Sequence, residues 1–461
     1  METRPLKFIA QACTAEIRRG DGETPVASVC TDSRQAKPGD VFFAIPGERF
    51  DGHDFLNEVA AKGVAAVVVA QKKIPAPLPS CAVLAVDDVR AALGRLAAAY
   101  RRDFDLPVIA VGGSNGKTTT KELLASALRK KMPALWNEAS FNNNIGVPLT
   151  LLRLETSHRA AVIEAGTNHP GELAPLVEMI GPKYGVLTSI GREHLEFFGD
   201  LAGVAREEGR LAELLPADGK LFVNGDSEWT DAIVKRTRAA VVRVGLDGKN
   251  DWRAKGIRLD KNGTTFRVEA PKAEYSGEYR INLLGRHQVT NALFAVAVSE
   301  ELGVGCAEIQ RGLAECAPAK MRLNFWEAGG VRVLDDAYNA NADSTLAALE
   351  TLCALPLQGR RVAVRGDMNE LGAYSEAAHA EAGRRAAELG IGQLFAVGKM
   401  APVTAHAART AGLNRVIEFA DVEAAMKVVK NFLKPGDVVL LKASRSSHLE
   451  RIAATLKPEK S

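Results

Sequence analysis

Two hydrophobic patterns alternate along this chain of 461 residues. Continuous apolar runs such as PVIAVGG and AAVIEAG are typical of strands buried on both faces of a parallel sheet. Segments with helical spacing lie between such runs, for example HQVTNALFAVAVSEEL. Two shorter runs, TTFRVEA and GEYRINLLG, alternate as strands do when one face meets solvent. The pattern predicts an α/β protein with a mostly parallel sheet.

Changes in this pattern divide the chain into three blocks. Residues 1–86 carry short strand-like runs and predict a small α/β domain. Residues 87–317 contain the long buried runs and predict a central domain. Residues 318–461 alternate strand and helix throughout, as in a doubly wound, Rossmann-like sheet. The terminal KPEKS is predicted to fray. We therefore expect three α/β domains.

Composition and charge narrow the protein class. Hydrophobic residues make up 46% and charged residues 25% of the chain, which is ordinary for a globular protein. The net charge of +3 is too small to indicate a nucleic-acid partner. No apolar run approaches a membrane span, and the N-terminus does not resemble a signal peptide. The six scattered cysteines have no metal-binding spacing and favour reduced thiols in a cytoplasm.

The stretch AVGGSNGKTTTKELL predicts a phosphate-binding loop between a strand and a helix. Backbone N–H groups at a helix N-terminus, together with the helix dipole, attract phosphate. A lysine in such a loop contacts the terminal phosphates and the next hydroxyl binds Mg²⁺. Val111 stands where the usual loop has its first glycine, so this is a shortened variant. The predicted ATP-binding residues here are Gly113, Ser114, Asn115, Gly116, Lys117, Thr118 and Thr119.

The loop alone does not select a class of nucleotide enzyme. The chain has no N-K-x-D motif for guanine and no strand ending in Asp-Glu, as a motor would have. Glu164 ends a buried run and suits Mg²⁺ as an oxygen ligand. His194 follows another such run, and parallel strands bring their carboxyl ends to one edge of the sheet. A surface or packing role is the alternative for His194.

Ten stretches in a fixed order carry a resemblance that reaches over nearly the whole chain. They are TDSR (31–34), GDVFFAIPGERFDGHDF (39–55), GSNGKTTTK (113–121), FNNNIGVPLTLL (141–152), EAGTNHPGEL (164–173), IGREHLEFFGD (190–200), GRHQVTNAL (285–293), DDAYNANADS (335–344), GDMNELG (366–372) and KASRS (442–446). Several are weak singly, but together they are highly specific. On these stretches the chain resembles the ATP-dependent Mur ligases of cell-wall synthesis.

The resemblance implies a monomeric ligase that joins D-alanyl-D-alanine to UDP-N-acetylmuramoyl-tripeptide through an acyl phosphate, with ATP and two Mg²⁺. It assigns the uridine end of the substrate to the N-terminal domain, ATP to the central domain, and the dipeptide amine to the third domain. It implies a role in peptidoglycan synthesis, and so in cell shape and division. The implied residues are Asp32, Ser33, Arg34, Asn142, Asn143, Tyr338, Asn339 and Asn341 for substrate, and Asn291, Arg322 and Asp336 for ATP.

One departure from the family is informative. Mur ligases usually carry a lysine in a K-G-E stretch, whose CO₂ adduct helps to hold the second Mg²⁺. Here Glu208 stands at that position, and we hypothesise that its carboxylate replaces the adduct. The alternative is that Glu207 and Glu208 form a solvated helix face. The predicted catalytic residues are Lys117, Glu164, His194 and Glu208, and the predicted metal ligands are Thr118, Glu164, His194 and Glu208.

Other functions remain open from the sequence. A sibling Mur ligase that adds one amino acid and a folate polyglutamate ligase are enzymatic alternatives. The stretch GDVFFAIPGERFDGHDF argues against the folate enzyme, whereas GTNHPGEL and DDAYNAN favour the dipeptide-adding ligase. A further alternative is a nucleotide-binding homologue without catalytic activity. Only the replacement of the family's usual lysine by Glu208 supports it. A nucleic-acid motor is disfavoured because no basic stripe is present.

Overall fold

The computed structural model describes residues 1–356 and 358–457. Its contacts define two compact units. Unit 1 contains Met1–Ala110, Met132–Thr167 and Glu172–Tyr184, and unit 2 contains Val111–Lys131, Asn168–Gly171 and the chain from Gly185 onward. The predicted central domain, 87–317, therefore contributes to both units, and its boundaries stay a prediction. Apart from Lys457, the terminal KPEKS lies outside the described residues.

Residues 1–86 form a five-stranded sheet and a separate two-stranded sheet of β1 and β3, with short helices. The strands are β1 (Arg4–Pro5), β2 (Glu16–Arg19), β3 (Pro25–Val26), β4 (Ser28–Cys30), β5 (Asp40–Phe43), β6 (Ala66–Ala70) and β7 (Ala82–Val86), and the helices are α1 (Leu6–Cys13) and α2 (Leu56–Ala61). Strands β4, β5, β6 and β7 are parallel neighbours, and β2 pairs antiparallel with β7. Strands β5 and β7 are buried along their whole length, as their apolar sequences predict.

The next segment alternates helices and strands. Its elements are α3 (Val89–Arg101), β8 (Val108–Gly112), α4 (Lys117–Leu128), β9 (Ala134–Trp136), α5 (Gly146–Leu151), β10 (Ala160–Glu164), α6 (Leu173–Ile180) and β11 (Tyr184–Leu187). Strands β9 and β10 pair in parallel. Every residue of β8 and of β10 is buried, which confirms the interpretation of PVIAVGG and AAVIEAG. The phosphate loop follows β8 directly.

The chain from Leu195 to Glu315 lies in unit 2. It contains α7 (Leu195–Phe198), α8 (Leu201–Glu208), α9 (Arg210–Glu213), β12 (Lys220–Asn224), α10 (Thr230–Val234), β13 (Ala240–Gly245), β14 (Trp252–Asp260), β15 (Gly263–Glu269), β16 (Gly277–Ile281), α11 (Arg286–Glu301) and α12 (Cys306–Glu315). Strands β12, β13 and β14 are parallel, whereas β14, β15 and β16 form an antiparallel meander. The meander contains TTFRVEA and GEYRINLLG, whose alternation predicted it.

The C-terminal block is a six-stranded sheet with helices between its strands. Its elements are β17 (Asn324–Ala328), β18 (Val331–Asp336), α13 (Ala342–Ala354), β19 (Arg361–Arg365), α14 (Ser375–Glu388), β20 (Gln393–Val397), α15 (Ala401–Thr410), β21 (Val416–Phe419), α16 (Val422–Phe432), β22 (Val438–Lys442) and α17 (Glu450–Leu456). The strand order is β17-β18-β22-β19-β20-β21, and only the edge strand β17 is antiparallel to its neighbour. Two apolar cores bury the two faces of this sheet.

A histidine inside this block makes its stability depend on pH. His379 on α14 is fully buried. Its Nε2 accepts a hydrogen bond from the Met368 N–H (3.0 Å), and its Nδ1–H donates to the Ser375 carbonyl (2.7 Å). Burial, reinforced by the charge of Arg365, lowers the pKa of His379 to about 4. An unfolded histidine titrates near about 6.5, so acid favours the unfolded chain between these two values.

We expect His379→Gln to flatten the acid side of the stability profile. In the wild type, the free energy of unfolding should fall by about 2 kcal/mol between about pH 6.5 and pH 5, because His379 stays neutral in the folded protein and becomes charged in the unfolded chain. Scanning calorimetry at several pH values would measure the loss as a falling transition temperature. His406→Gln, an exposed change in the same block, is the control. Equal slopes for wild type and His379→Gln would contradict the prediction.

Candidate functional site

The predicted phosphate loop has the conformation that its glycines allow. Gly113 and Gly116 have φ values of +111° and +90°. A Cβ at Gly116 would collide with the Asn291 side chain, and one at Gly113 with Thr188. Both positions therefore require glycine for backbone and steric reasons. Helix α4 begins immediately after the loop, so its first N–H groups face the turn.

A neighbouring loop, residues 188–194 between β11 and α7, holds the phosphate loop in place. We call it the His loop. The Ser114 N–H donates to the Ser189 carbonyl (2.8 Å), and the Asn115 N–H donates to the Ser189 hydroxyl (2.9 Å). The Gly191 N–H donates to the Ser114 hydroxyl (2.8 Å). Ser114 and Asn115 were predicted from the sequence as ATP-binding residues, and the structure shows that they also hydrogen-bond to the His loop.

The Lys117 ammonium is positioned by its own loop and by the Glu193 carboxylate. It donates to the carbonyls of Gly113 and Ser114, and lies 3.3 Å from Oε1 of Glu193. Burial raises the pKa of Glu193, and the charge of Lys117 opposes that rise. Glu193 lies in the His loop beside the predicted metal ligand His194. These contacts hold the Lys117 ammonium beside the phosphate loop, where it can neutralise the charge of a bound phosphate.

Glu208 contacts the backbone of the phosphate loop. It ends helix α8, is 1% exposed, and accepts a hydrogen bond from the Gly113 N–H (2.7 Å). Its neighbour Glu207 is also buried and accepts from the Gly171 N–H (3.0 Å). The alternative of a solvated helix face is therefore wrong. Burial raises the pKa of Glu208 to about 7 despite the nearby charge of Lys117.

His194 is held by a carboxylate from the C-terminal block. It precedes α7 in a left-handed conformation with φ of +51°. Its Nδ1 lies 2.5 Å from Oε2 of Glu370. Burial alone would lower the pKa of His194, but the hydrogen bond to Glu370 and the charge of Glu193 raise it above its usual value. Such a contact orients the imidazole and leaves Nε2 for a ligand.

A residue of the C-terminal block reaches the phosphate loop directly. The Asn341 amide N–H donates to Oδ1 of Asn115 (2.9 Å). Asn341 also caps α13 in a reciprocal pair with Ser344, which fixes its orientation. The structure thus brings a predicted substrate residue and a predicted ATP residue into contact.

The other predicted residues of this block are in contact with each other. Oδ2 of Asp336 lies 2.6 Å from the Lys442 ammonium, which also donates to the Asn339 carbonyl (2.9 Å). Burial raises the pKa of Asp336, and the charge of Lys442 opposes that rise. The Arg322 guanidinium lies over the Tyr338 ring, 4.3 Å from its centroid. The pair with Lys442 sets the position of the Asp336 carboxylate.

Helix α11 brings Asn291 to the start of α4. The Thr120 hydroxyl donates to Oδ1 of Asn291 (3.3 Å), and the Asn291 amide donates to Gln288 (2.9 Å). Thr118 and Thr119 occupy the first turn of α4, and Thr118 is buried. Asn291 thus lies against the turn that would hold the phosphates.

Unit 1 contains the remaining predicted metal ligand. Glu164 ends β10, is 1% exposed, and accepts a hydrogen bond from the Asn142 amide (2.8 Å). The Asn137 amide donates to the Glu164 carbonyl (3.0 Å) and its oxygen accepts from the Glu164 N–H (2.9 Å). Asn143 has a local role, since its side chain accepts from the backbone of Gly146 (2.9 Å) at the start of α5.

Asp32, Ser33 and Arg34 form a short turn in unit 1. The Arg34 guanidinium donates to both carboxylate oxygens of Asp32, at 2.9 and 2.7 Å. This hydrogen bonding lowers the pKa of Asp32 to about 2. The Ser33 carbonyl accepts from the Lys62 ammonium (2.7 Å). The Arg34 side chain is 84% exposed and is accessible to a ligand.

A cavity of about 350 Å³ lies beside His194. Its lining comes from unit 2 alone. The lining residues are Asn168, His194, Tyr338, Asn339, Ala340, Asn369, Glu370, Ser444, Arg445 and Ser446. Hydroxyl, amide, carboxylate and guanidinium groups suit a small zwitterionic ligand.

Three family models match this chain. One described as Mur ligase middle domain matches residues 111–299, and one described as Mur ligase, glutamate ligase domain, matches residues 321–445. A third, described as Mur ligase family, catalytic domain, matches residues 25–101. The chain is also 38% identical to UDP-N-acetylmuramoyl-tripeptide–D-alanyl-D-alanine ligase of Escherichia coli, over 93% of each chain.

The chain belongs to the Mur ligase family. The ligase of the same name from Bacillus subtilis is 32% identical over 99% of each chain. Among solved structures, MurF from Acinetobacter baumannii has a TM-score of 0.90 and 33% identity, with 99% of each chain covered. MurF from Thermotoga maritima, solved in complex with ADP, has a TM-score of 0.81 and 27% identity, covering 93% of this chain and 96% of that one. The predicted three-domain α/β fold is confirmed.

Several residues of this Mur ligase that contact the predicted site were not singled out from the sequence. They are Glu193 beside Lys117, Glu370 beside His194, and Lys442 beside Asp336. Each lies inside a stretch that carried the resemblance. For Glu193 the usable signal was its position next to the predicted ligand His194. Glu370 and Lys442 have no predicted site residue beside them in the sequence, and their partners are distant along the chain.

The predicted metal ligands of this Mur ligase do not form a preassembled cluster. Across residues 1–356 and 358–457, no group of three or more His, Cys, Asp or Glu side chains is arranged to hold a metal ion. Mg²⁺ in nucleotide enzymes takes several ligands from phosphate and water, so it does not require such a cage. The described residues also include no helix long and apolar enough to cross a membrane.

Proposed function

We propose that this Mur ligase joins D-alanyl-D-alanine to UDP-N-acetylmuramoyl-tripeptide, with conversion of ATP to ADP and phosphate. The product would be UDP-N-acetylmuramoyl-pentapeptide, a peptidoglycan precursor. The observation that carries the proposal is a phosphate loop in contact with the C-terminal block, through Asn115 and Asn341. It occurs in a chain 38% identical to a ligase of that name over 93% of its length.

The first step activates a carboxylate. A free carboxylate is a poor acyl donor because its leaving group would be oxide. Transfer of the γ-phosphoryl group of ATP to one of its oxygens gives an acyl phosphate and ADP. Lys117 would neutralise the transferring group, and the N–H groups at the start of α4 would bind the phosphates. Asn291, Arg322 and Asp336 would hold the remainder of ATP.

The second step forms the amide bond. The dipeptide amine attacks the acyl carbon, loses a proton, and phosphate leaves from the tetrahedral intermediate. The cavity beside His194, lined by Tyr338 and Asn339, would hold the dipeptide. Enclosure by the C-terminal block would keep water from hydrolysing the acyl phosphate. Asn142 and Asn143, which lie in unit 1, would also bind substrate.

The donor set fits Mg²⁺. Thr118, Glu164, His194 and Glu208 offer hydroxyl, carboxylate and imidazole donors, and we propose that they hold two ions together with phosphate. When bound, Mg²⁺ neutralises charge on the phosphates and on the transferring group. The position of Glu208 supports this fit, because a cation bound beside the phosphate loop would favour the charged form of this buried carboxyl group.

The N-terminal domain, residues 1–86, would bind the uridine end of the substrate near Asp32, Ser33 and Arg34. Residues 87–317 would form the ATP-binding domain, and residues 318–461 the domain that delivers the dipeptide. The protein would act as a cytoplasmic monomer. All six cysteines are free thiols, which agrees with a reducing compartment.

An omission series would test the function. Phosphate release from Mg-ATP would be measured with UDP-N-acetylmuramoyl-tripeptide and D-alanyl-D-alanine, each alone and then together. We expect release only with both, and a product heavier by one dipeptide less water. Release with single amino acids but not with the dipeptide would indicate a sibling ligase. No release in any combination would overturn the proposal and favour a non-catalytic homologue.

A further inference from the structure

Arg192 joins the His loop to the C-terminal block through its backbone N–H and its guanidinium group. Its backbone N–H donates to Oδ2 of Asp343 (2.7 Å), and its Nε donates to Oδ1 of the same residue (2.8 Å). Its Nη1 donates to Oε2 of Glu381 (2.6 Å). Asp343 lies in the first turn of α13 and Glu381 lies on α14. One side chain therefore binds two carboxylates from two helices of that block.

The same loop holds the phosphate loop on its other side. Ser189 and Gly191 hydrogen-bond to Ser114, and Glu193 pairs with Lys117. Asp343 is also close in sequence to Asn341, which contacts the phosphate loop. The His loop therefore couples the position of the C-terminal block to the geometry of the phosphate loop.

An apolar core forms another part of this interface. Leu195 and Val204 pack in one core with Ala340, Met368 and Leu371. Apolar contact attracts the two surfaces but is not directional. A guanidinium fork that binds two carboxylates fixes orientation as well as distance. Arg192 therefore helps to set the angle at which α13 and α14 meet the phosphate loop, together with the His194–Glu370 and Asn341–Asn115 contacts.

We propose that Arg192 is a positioning residue that orients the C-terminal block over the phosphate loop before nucleotide binds. It does not contact the reacting atoms. If only the oriented state binds ATP tightly, the apparent affinity falls in proportion to the population of that state. Saturating substrates would restore the oriented state in a variant, so kcat should change little. The inference rests on the proposed function for its use of ATP.

The test compares Arg192→Ala, Arg192→Lys and Glu381→Gln with wild type. We expect the Kd for Mg-ATP, measured by calorimetry without other substrates, to rise about tenfold in Arg192→Ala. KM for ATP should rise equally, with kcat within about twofold. Arg192→Lys should be intermediate because lysine lacks the fork. Glu381→Gln should raise the Kd for Mg-ATP less than Arg192→Ala does. In the double variant, Glu381→Gln should cause no further rise, because its partner is already absent. Glu376→Gln, an exposed change on the same helix, is the control.

Hydrogen exchange gives a readout that does not depend on turnover. In the ligand-free protein, the peptides that contain residues 189–194 and 340–346 should exchange faster in Arg192→Ala than in wild type. Mg-ATP should remove the difference.

Unchanged Kd and unchanged exchange in Arg192→Ala would overturn the inference, as would a fall in kcat without a change in KM. A lower melting temperature with fewer active sites would assign Arg192 to folding instead. A wild type that lacks ligase activity would refute the proposed function, while the exchange difference would still support the positioning role.

Discussion

Lys117→Ala should lower kcat for ligation about 10³-fold, because the variant lacks the ammonium group that the structure holds beside the phosphate loop. Phosphoryl transfer to a carboxylate brings two anions together, and stabilisation of the developing charge is the main contribution an enzyme can make to it. The variant should still fold, since Glu193 can take up a proton once its partner is removed.

Phosphate release at saturating substrate would measure this loss. Lys130→Ala is the control, because it removes a lysine just after α4 that pairs with Glu315 rather than with a group of the proposed site. We expect Lys130→Ala to retain activity within about twofold of wild type. Retention of more than a tenth of wild-type kcat by Lys117→Ala would exclude the proposed role.

Glu208→Ala should lower kcat/KM about 100-fold, through loss of a carboxylate that contacts the phosphate loop. Glu208→Gln separates charge from shape, since its amide oxygen can still accept from the Gly113 N–H. If the carboxylate helps to hold Mg²⁺, the Gln variant should lose nearly as much activity as the Ala variant. It should also require a higher Mg²⁺ concentration for half-maximal rate.

Bicarbonate distinguishes Glu208 from the lysine that the family usually carries. Wild-type activity should not depend on bicarbonate, because Glu208 already supplies a carboxylate. Glu208→Lys should gain activity when bicarbonate is added, if a lysine adduct fits the space. Full activity in Glu208→Gln would show that the residue only positions the Gly113 N–H, and bicarbonate dependence of the wild type would contradict the replacement.

The phosphate loop was predictable because its determinants are local. Two glycines with positive φ, a buried strand before them and a helix after them lie within a few residues of each other. The buried strands β8 and β10 were likewise predicted from their own apolar runs. Exposed and amphipathic elements were harder to predict from the sequence. In the C-terminal block, no sequence pattern indicated β17, β21 or α15. Their residues have weaker periodicity, and strand pairing or helix packing selects their conformation.

The partners of the site residues follow from the tertiary structure alone. Glu370 is 176 residues from His194, and Asp343 is 151 residues from Arg192. No local pattern encodes such a pairing, because it depends on how α7, α13 and α14 pack. Glu208 illustrates the same limit. The sequence around Glu208 was compatible with a solvated helix face and with a metal ligand. Only the packing of α8 against the phosphate loop excluded the solvated face, because it buries the Glu208 carboxylate.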